Sequence, residues 1–116
     1  MTNILLIQQS SAFDGAVARE AQDLALALAA TEHQVTLLYR DAAVLQLLPL
    51  AQQPAVKDFT LAQKLFELYD IAAVYVCQHS LSRYQLSVPQ LRIPVLLAAP
   101  DVQQQLLSDA TVVLVH

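Results

Sequence analysis

The chain is poor in glycine, cysteine and positive charge, and each shortage excludes something. A single glycine, Gly15, cannot supply a G-x-G-x-x-G fingerprint or a P-loop, both of which need several residues lacking a Cβ close to a phosphate. A single cysteine, Cys77, cannot close an intrachain disulfide and fits a reducing compartment. Six Lys and Arg face ten Asp and Glu, for a formal charge of −4. Arg40, Lys57, Lys64, Arg83 and Arg92 are scattered, whereas nucleic-acid binders gather a basic patch that releases counterions from phosphates. No direct nucleic-acid partner is expected. No apolar run approaches the ~20 residues of a membrane span, and Thr2 and Asn3 lead straight into a strand-like run instead of a leader segment. A cytoplasmic location without a membrane partner is the expectation.

Chemistry that often occupies α/β domains is missing too. His33, His79 and His116 are far apart and show no metal-ligand spacing, so no metal is expected. A phospho-receiver needs acidic residues after its first strand and an aspartate after its third; Gln8, Gln9 and Cys77 stand there instead. The loop Gln8 to Asp14 has hydroxyls but not the Thr/Ser/Gly density that wraps a flavin phosphate, and no cofactor is expected.

What is abundant is apolar side chain. Apolar residues make up 56% and charged residues 14% of the 116, against typical usage of roughly 45–50% and about 25%. The length is that of one domain, 1–116. A domain this small has little interior in which to hide such an excess, so part of its surface is expected to be covered by partners. Alanine and leucine in helices would raise the count without enlarging any patch, and that alternative stays open.

Strands and helices alternate along the chain. Asn3 to Gln8 and Gln34 to Tyr39 are short apolar runs of the kind buried on both sheet faces. Between them, Asp14 is placed to cap a helix that Gly15 opens and that runs from Ala16 to Ala30. Its apolar face is predicted as Val17, Ala21, Leu24, Ala25 and Leu28, with Arg19, Glu20, Gln22 and Asp23 on the other side. Ala42 to Leu48 reads as a short helix stopping before Pro49, and Leu50 to Val56 as a loop. Asp58 is placed to cap a helix through Tyr69, with Phe59, Ala62, Leu65, Phe66 and Tyr69 on one face. Ile71 to Cys77 is a third strand, rich in β-formers. His79 to Tyr84 reads as one or two helical turns and Leu86 to Arg92 as irregular. A strand at Pro94 to Ala98, a helix at Asp101 to Leu107 capped by Asp101, and a strand at Thr111 to Val115 complete the chain. This alternation predicts a three-layer α/β/α domain with a mostly parallel five-stranded sheet.

In such sheets reactive groups gather at the carboxyl ends of the strands. Three segments fall there: Gln8 to Asp14, Arg40-Asp41, and Cys77 to Ser80. Cys77 ends the third strand just before a helix start, where amides and a nearby imidazolium such as His79 lower a thiol's pKa. A thiolate so placed accepts a sulfane sulfur as a persulfide. The alternative is a small buried hydrophobe, since free cysteine is among the most buried residue types, with His79 a solvated loop residue.

Three collinear stretches carry a family resemblance. Ala18-Arg19-Glu20-Ala21-Gln22-Asp23-Leu24-Ala25 resembles the "REG-x-D-A-L" first helix of DsrE/DsrF-like proteins. Asp41-Ala42-Ala43-Val44-Leu45-Gln46-Leu47-Leu48-Pro49 resembles the "DGV-x-QLL" segment of their TusC branch. Leu68-Tyr69-Asp70-Ile71, with Val76-Cys77-Gln78-His79-Ser80-Leu81, resembles that branch's "LYDI…VC-x-x-SL". The sequence departs from the pattern at Ala42, where the family has glycine, and at Leu50-Ala51 after the proline.

The resemblance implies a DsrE-like fold and a subunit that joins TusB-like and TusD-like paralogues in a heterohexamer. That assembly takes persulfide sulfur from a TusA-like carrier and passes it to a TusE-like one, toward 2-thiouridine at the tRNA wobble position. A DsrEFH-type complex does related work in sulfur oxidation. In both, the recognised sulfur-carrying cysteine lies in the TusD or DsrE subunit, so the resemblance makes this chain mainly architectural. Cys77 matches a cysteine common in TusC-like chains and remains the candidate persulfide carrier of the competing reading. A third reading, a small-molecule or signalling module on a flavodoxin-like scaffold, is disfavoured by the missing phosphate glycines and acidic pocket.

Overall fold

Five strands form one sheet in the order β4-β3-β2-β1-β5, and every neighbouring pair is parallel. In the computed structural model, which describes residues 2–11, 17–31, 33–48, 65–91 and 93–116, the strands are β1 Asn3–Gln8, β2 Gln34–Tyr39, β3 Ala73–Cys77, β4 Leu96–Ala98 and β5 Val112–Val115. The helices are α1 Val17–Ala30, α2 Leu65–Leu68, α3 Gln78–Arg83 and α4 Pro100–Asp109, with 3₁₀ turns at Asp41–Leu47 and Val88–Gln90. Asp14, Gly15, Pro49, the 50–56 loop, Asp58, Phe59 and Ala62 lie outside the described residues. Among the described residues, no helix is long and apolar enough to cross a membrane.

Alternation along the strands divides the core between two faces. Leu6, Val35, Leu37, Tyr39 and Val76 point to one side, where they meet Ala25 of α1, Ala43, Val44 and Leu47 of the first 3₁₀ turn, Phe66 of α2 and Leu81 of α3. Leu5, Ile7, Leu38 and Ala98 point to the other, which α4 covers through Val102 and Leu106. β1 and β2 are central and buried on both faces, and each fully buried leucine or isoleucine there contributes about 1.5–3 kcal/mol. Among the described residues, α4 is the helix that covers this second face. Both sheet edges stay apolar and open: Leu96 and Leu97 on β4, and Val112, Val113 and Val115 on β5, are exposed.

Helix α1 turns the predicted Ala21 and Ala25 inward, with the buried stripe shifted to take in Ala18 and Gln22 and to leave out Val17. Ala18, Ala21, Gln22 and Ala25 are buried, and Val17 is exposed. The small alanines let the helix lie close to the sheet, and the long Leu24 and Leu28 sit half-buried at its flanks. Gln22, expected on the solvent side, goes inside. The Asp41–Leu47 segment is helical as expected, but wound as a 3₁₀ turn. Asp101 does not cap α4: Ala99 is the N-cap without a side-chain bond, and Pro100 begins the helix, where its missing N–H costs nothing. The stretch expected to be irregular contains the Val88–Gln90 turn, opened by a reciprocal Ser87–Gln90 capping box.

Scarce glycine leaves its mark on the turns. Asp41, Asp70 and Gln85 hold positive φ of 54°, 58° and 56°, a region glycine enters freely and other residues enter at some cost. Asp70 ends α2, with Ile71 N–H bonding Phe66 O at 2.9 Å, and Gln85 ends α3, with Leu86 N–H bonding Leu81 O at 2.9 Å. These are the longer-range C-terminal bonds that a left-handed residue makes possible. Asp41 takes the left-handed conformation at the start of the 3₁₀ turn, and Ala42 lies inside that turn.

Candidate functional site

The described residues of the three segments at the carboxyl ends of the strands lie together: Gln8 to Ser11, Arg40-Asp41 and Cys77 to Ser80. β1 and β2 run in register from Asn3↔Gln34 to Gln8↔Tyr39, which brings their end loops side by side. With its amide turned so that oxygen faces the guanidinium, Gln9 accepts from Arg40 Nε at 3.0 Å and Nη2 at 2.8 Å. Arg40 N–H donates to Gln8 O at 2.9 Å, and Gln9 N–H donates to His116 O at 2.8 Å, which ties the end of β5 into the same rim. Gln46, fully buried, donates from Nε2 to Ser10 O at 2.7 Å and anchors the start of the first loop to the 3₁₀ turn.

Cys77 closes β3 and is the N-cap of α3. It lies in register with Ala98 of β4 and is 8% exposed, so its thiol is nearly enclosed. Gln103, on the first turn of α4, donates from Nε2 to Cys77 Sγ at 3.2 Å and to Ala98 O at 3.0 Å. Ser80, buried one turn into α3, accepts Asp41 N–H at 2.9 Å on its hydroxyl oxygen. The same hydroxyl can then turn its hydrogen toward the sulfur. Burial pushes the Cys77 thiol up, but the Ser80 hydroxyl and amide, the Gln103 amide and the His79 backbone amide together hold it below its ordinary value. Hydrogen bonding to the charged form outweighs desolvation, as expected where several donors meet one thiolate.

His79 therefore contributes a backbone amide to the thiol and not its ring, which sits on an exposed residue. Gln103 was missed in the sequence. It is 26 positions from Cys77, and a glutamine in a helix following Pro100 carries no signal of its own. Among the described residues, no group of three or more His, Cys, Asp or Glu is placed to hold a metal ion. The arrangement is one nearly enclosed thiol, its pKa held below the ordinary value, packed against the Gln103 amide.

Two further polar side chains are buried beside this rim on the α1 face. Gln8 and Tyr39 are register partners, both almost wholly inaccessible. Burial pushes the Tyr39 phenol well above its ordinary range, with the adjacent Gln8 amide pulling weakly the other way. Neither side chain makes a well-formed hydrogen bond.

Comparison with known proteins places this geometry. The family model described as DsrE/DsrF-like matches residues 2–115. A Protein TusC homolog of Vibrio parahaemolyticus is 35% identical over 96 residues, 80% of each chain. Another, from Vibrio vulnificus, is 39% identical over 79 residues, covering 66% of this chain and 67% of its own. In three dimensions the chain is similar to the ychN protein of E. coli, with a TM-score of 0.86 at 17% identity over the whole of both chains. That likeness shows the fold, a five-stranded parallel α/β sheet, and the sequence match shows the lineage: the chain belongs to the DsrE/DsrF-like family.

Proposed function

We propose that this chain is a subunit of a cytoplasmic sulfur-relay assembly, joining TusB-like and TusD-like paralogues in a heterohexamer. In this reading it serves a relay from a TusA-like to a TusE-like carrier, toward tRNA 2-thiolation, and its own part is mainly architectural. The observation that carries it is the near full-length family match together with relatives named as TusC homologues. The geometry adds two supports. Cys77 is almost enclosed, which suits a packed residue better than a sulfur acceptor open to a donor. Both edges of the sheet expose apolar side chains, an arrangement that partner chains would cover. The test is affinity purification of the tagged chain from its host, with native mass spectrometry of the intact complex. Two similar-sized paralogues in equal amounts support the reading. Recovery of the chain alone, as monomer or homo-oligomer, sinks it.

A second reading rests on the amide and hydroxyl donors around Cys77. The thiolate attacks the outer sulfur of a donor persulfide, the donor leaves as its thiolate, and Cys77 becomes the persulfide. An adduct of about +32 Da on Cys77, from nucleophilic attack on sulfur, identifies it. Loss of transfer in Cys77→Ser with the complex intact would favour this reading over the architectural one. The same relay chemistry serves a DsrEFH-type role in sulfur oxidation.

A further inference from the structure

The carboxyl ends of the strands form one rim of the molecule; the amino ends carry a separate feature on the α4 face. There the C-terminal turn of α4 and the starts of β1 and β2 border a cleft of about 210 Å³ lined by Asn3, Leu5, Gln34, Thr36, Asp109 and Ala110, among others. Its floor is apolar: Leu5 is buried, and Leu106 and Ala110 are half-buried. Its mouth is polar, with exposed Asn3, Gln34 and Asp109 and half-buried Thr36. The backbone of Asn3 is engaged with Thr111, and Gln34 N–H with Thr2 O, so the sheet uses the main chain and leaves these side chains to the cleft.

The electrostatics of this cleft are one-sided. A helix C-terminus carries partial negative charge on its last carbonyls and favours a cation there. α4 has no basic residue in its last turn and ends instead on Asp109, the unfavourable sign for that position. Asp109 Oδ1 accepts one bond, from Gln105 Nε2 at 2.9 Å, and no cation neutralises the group among the described residues. No backbone amide from outside the helix reaches the last carbonyls among those residues. The carboxylate and the helix end therefore give the cleft a negative side, and the Asn3 and Gln34 amides and the Thr36 hydroxyl line it as groups able to accept or donate.

We propose that this cleft receives a basic side chain, an arginine, presented by a partner protein. The aliphatic stem lies over half-buried Leu106 and Ala110, as long cationic side chains do on apolar surface. The planar guanidinium, weakly hydrated and with five donors, meets Asp109, Asn3, Gln34 and Thr36 together, where the compact lysine ammonium satisfies fewer of them.

The probe is the capped peptide Ac-Ala-Arg-Ala-NH₂, titrated into the isotope-labelled full chain and followed by amide NMR. Its citrulline counterpart has the same shape without the charge, and agmatine is the free small cation. The arginine peptide is expected to move the side-chain amides of Asn3 and Gln34 and the backbone amides of Thr36 and Ala110. Asp109→Asn, a substitution at an exposed position that leaves the core untouched, should weaken binding roughly two- to fivefold, the range of an accessible ion pair. Added salt should weaken it as well. Equal shifts with the citrulline peptide, an unchanged affinity in Asp109→Asn, or no shift at these residues up to the solubility of the peptide would overturn the proposal. Agmatine binding roughly tenfold or more tightly than the peptide, about 1.4 kcal/mol, would make a free cation the occupant and overturn it equally.

Discussion

Gln103 Nε2 stands 3.2 Å from Cys77 Sγ and 3.0 Å from Ala98 O, so one amide fastens α4 to the ends of both β3 and β4. The bond is worth more to the thiolate than to the thiol, because an N–H donor stabilises a charged acceptor. Reactivity of Cys77 with iodoacetamide should therefore persist to lower pH than for an unperturbed thiol, though slowly because the sulfur is enclosed. Gln103→Leu and Ser80→Ala should each move the half-point of that profile upward. An unchanged half-point in both would show that these donors do not set the thiol's ionisation. The linkage has a definite sign. A thiol held below its ordinary value of 9.0 adds stability above that value, and the contribution is lost as pH falls through the folded-state pKa.

Tyr39 has the opposite sign. Its phenol is raised above an ordinary value of 10.0 by burial, so its contribution is fully present below pH 10.0 and is lost as pH climbs beyond it. Urea unfolding of the wild-type chain should show stability falling in that alkaline range, and Tyr39→Phe should flatten the fall. At neutral pH, Tyr39→Phe removes a buried hydroxyl with no well-formed hydrogen bond and should be neutral or stabilising by up to about 1 kcal/mol. A loss of several kcal/mol would mean that the hydroxyl has a strong partner after all.

Gln85 supplies the left-handed turn after α3 at φ 56°. Gln85→Gly should raise stability by roughly 0.5–1 kcal/mol, because relief of the Cβ conflict exceeds the added freedom of the unfolded chain. Thermal unfolding of the two proteins reads this directly. A lower midpoint for the glycine variant would show that the glutamine side chain holds the turn by contacts of its own.

Interior and edge should respond differently to truncation. Leu37→Ala, at a position with no exposure, should cost about 2–5 kcal/mol. Leu97→Ala, 47% exposed on the open edge of β4, should cost under about 1.5 kcal/mol in the isolated chain. Val115→Lys on β5 should likewise spare folding while reducing copurification of partner subunits. If Val115→Lys left the recovered assembly unchanged, the β5 edge would not be one of its interfaces.

Local sequence determined the two central strands to the residue and the order of most elements. Those are properties of short windows: an apolar run such as Leu5-Leu6-Ile7 needs burial on both faces wherever it is placed. Periodicity placed Ala21 and Ala25 of α1 inward, and the tertiary structure decided that Ala18 and Gln22 join them while Val17 stays exposed. It also decided the surroundings of Cys77. Asp41 and Ser80 are 39 positions apart and Gln103 is 26 from the thiol, so each meets its partner only once parallel pairing has brought the strand ends together. Periodicity reports which residues need burial; which atoms then face one another depends on the register of strands far apart in the chain.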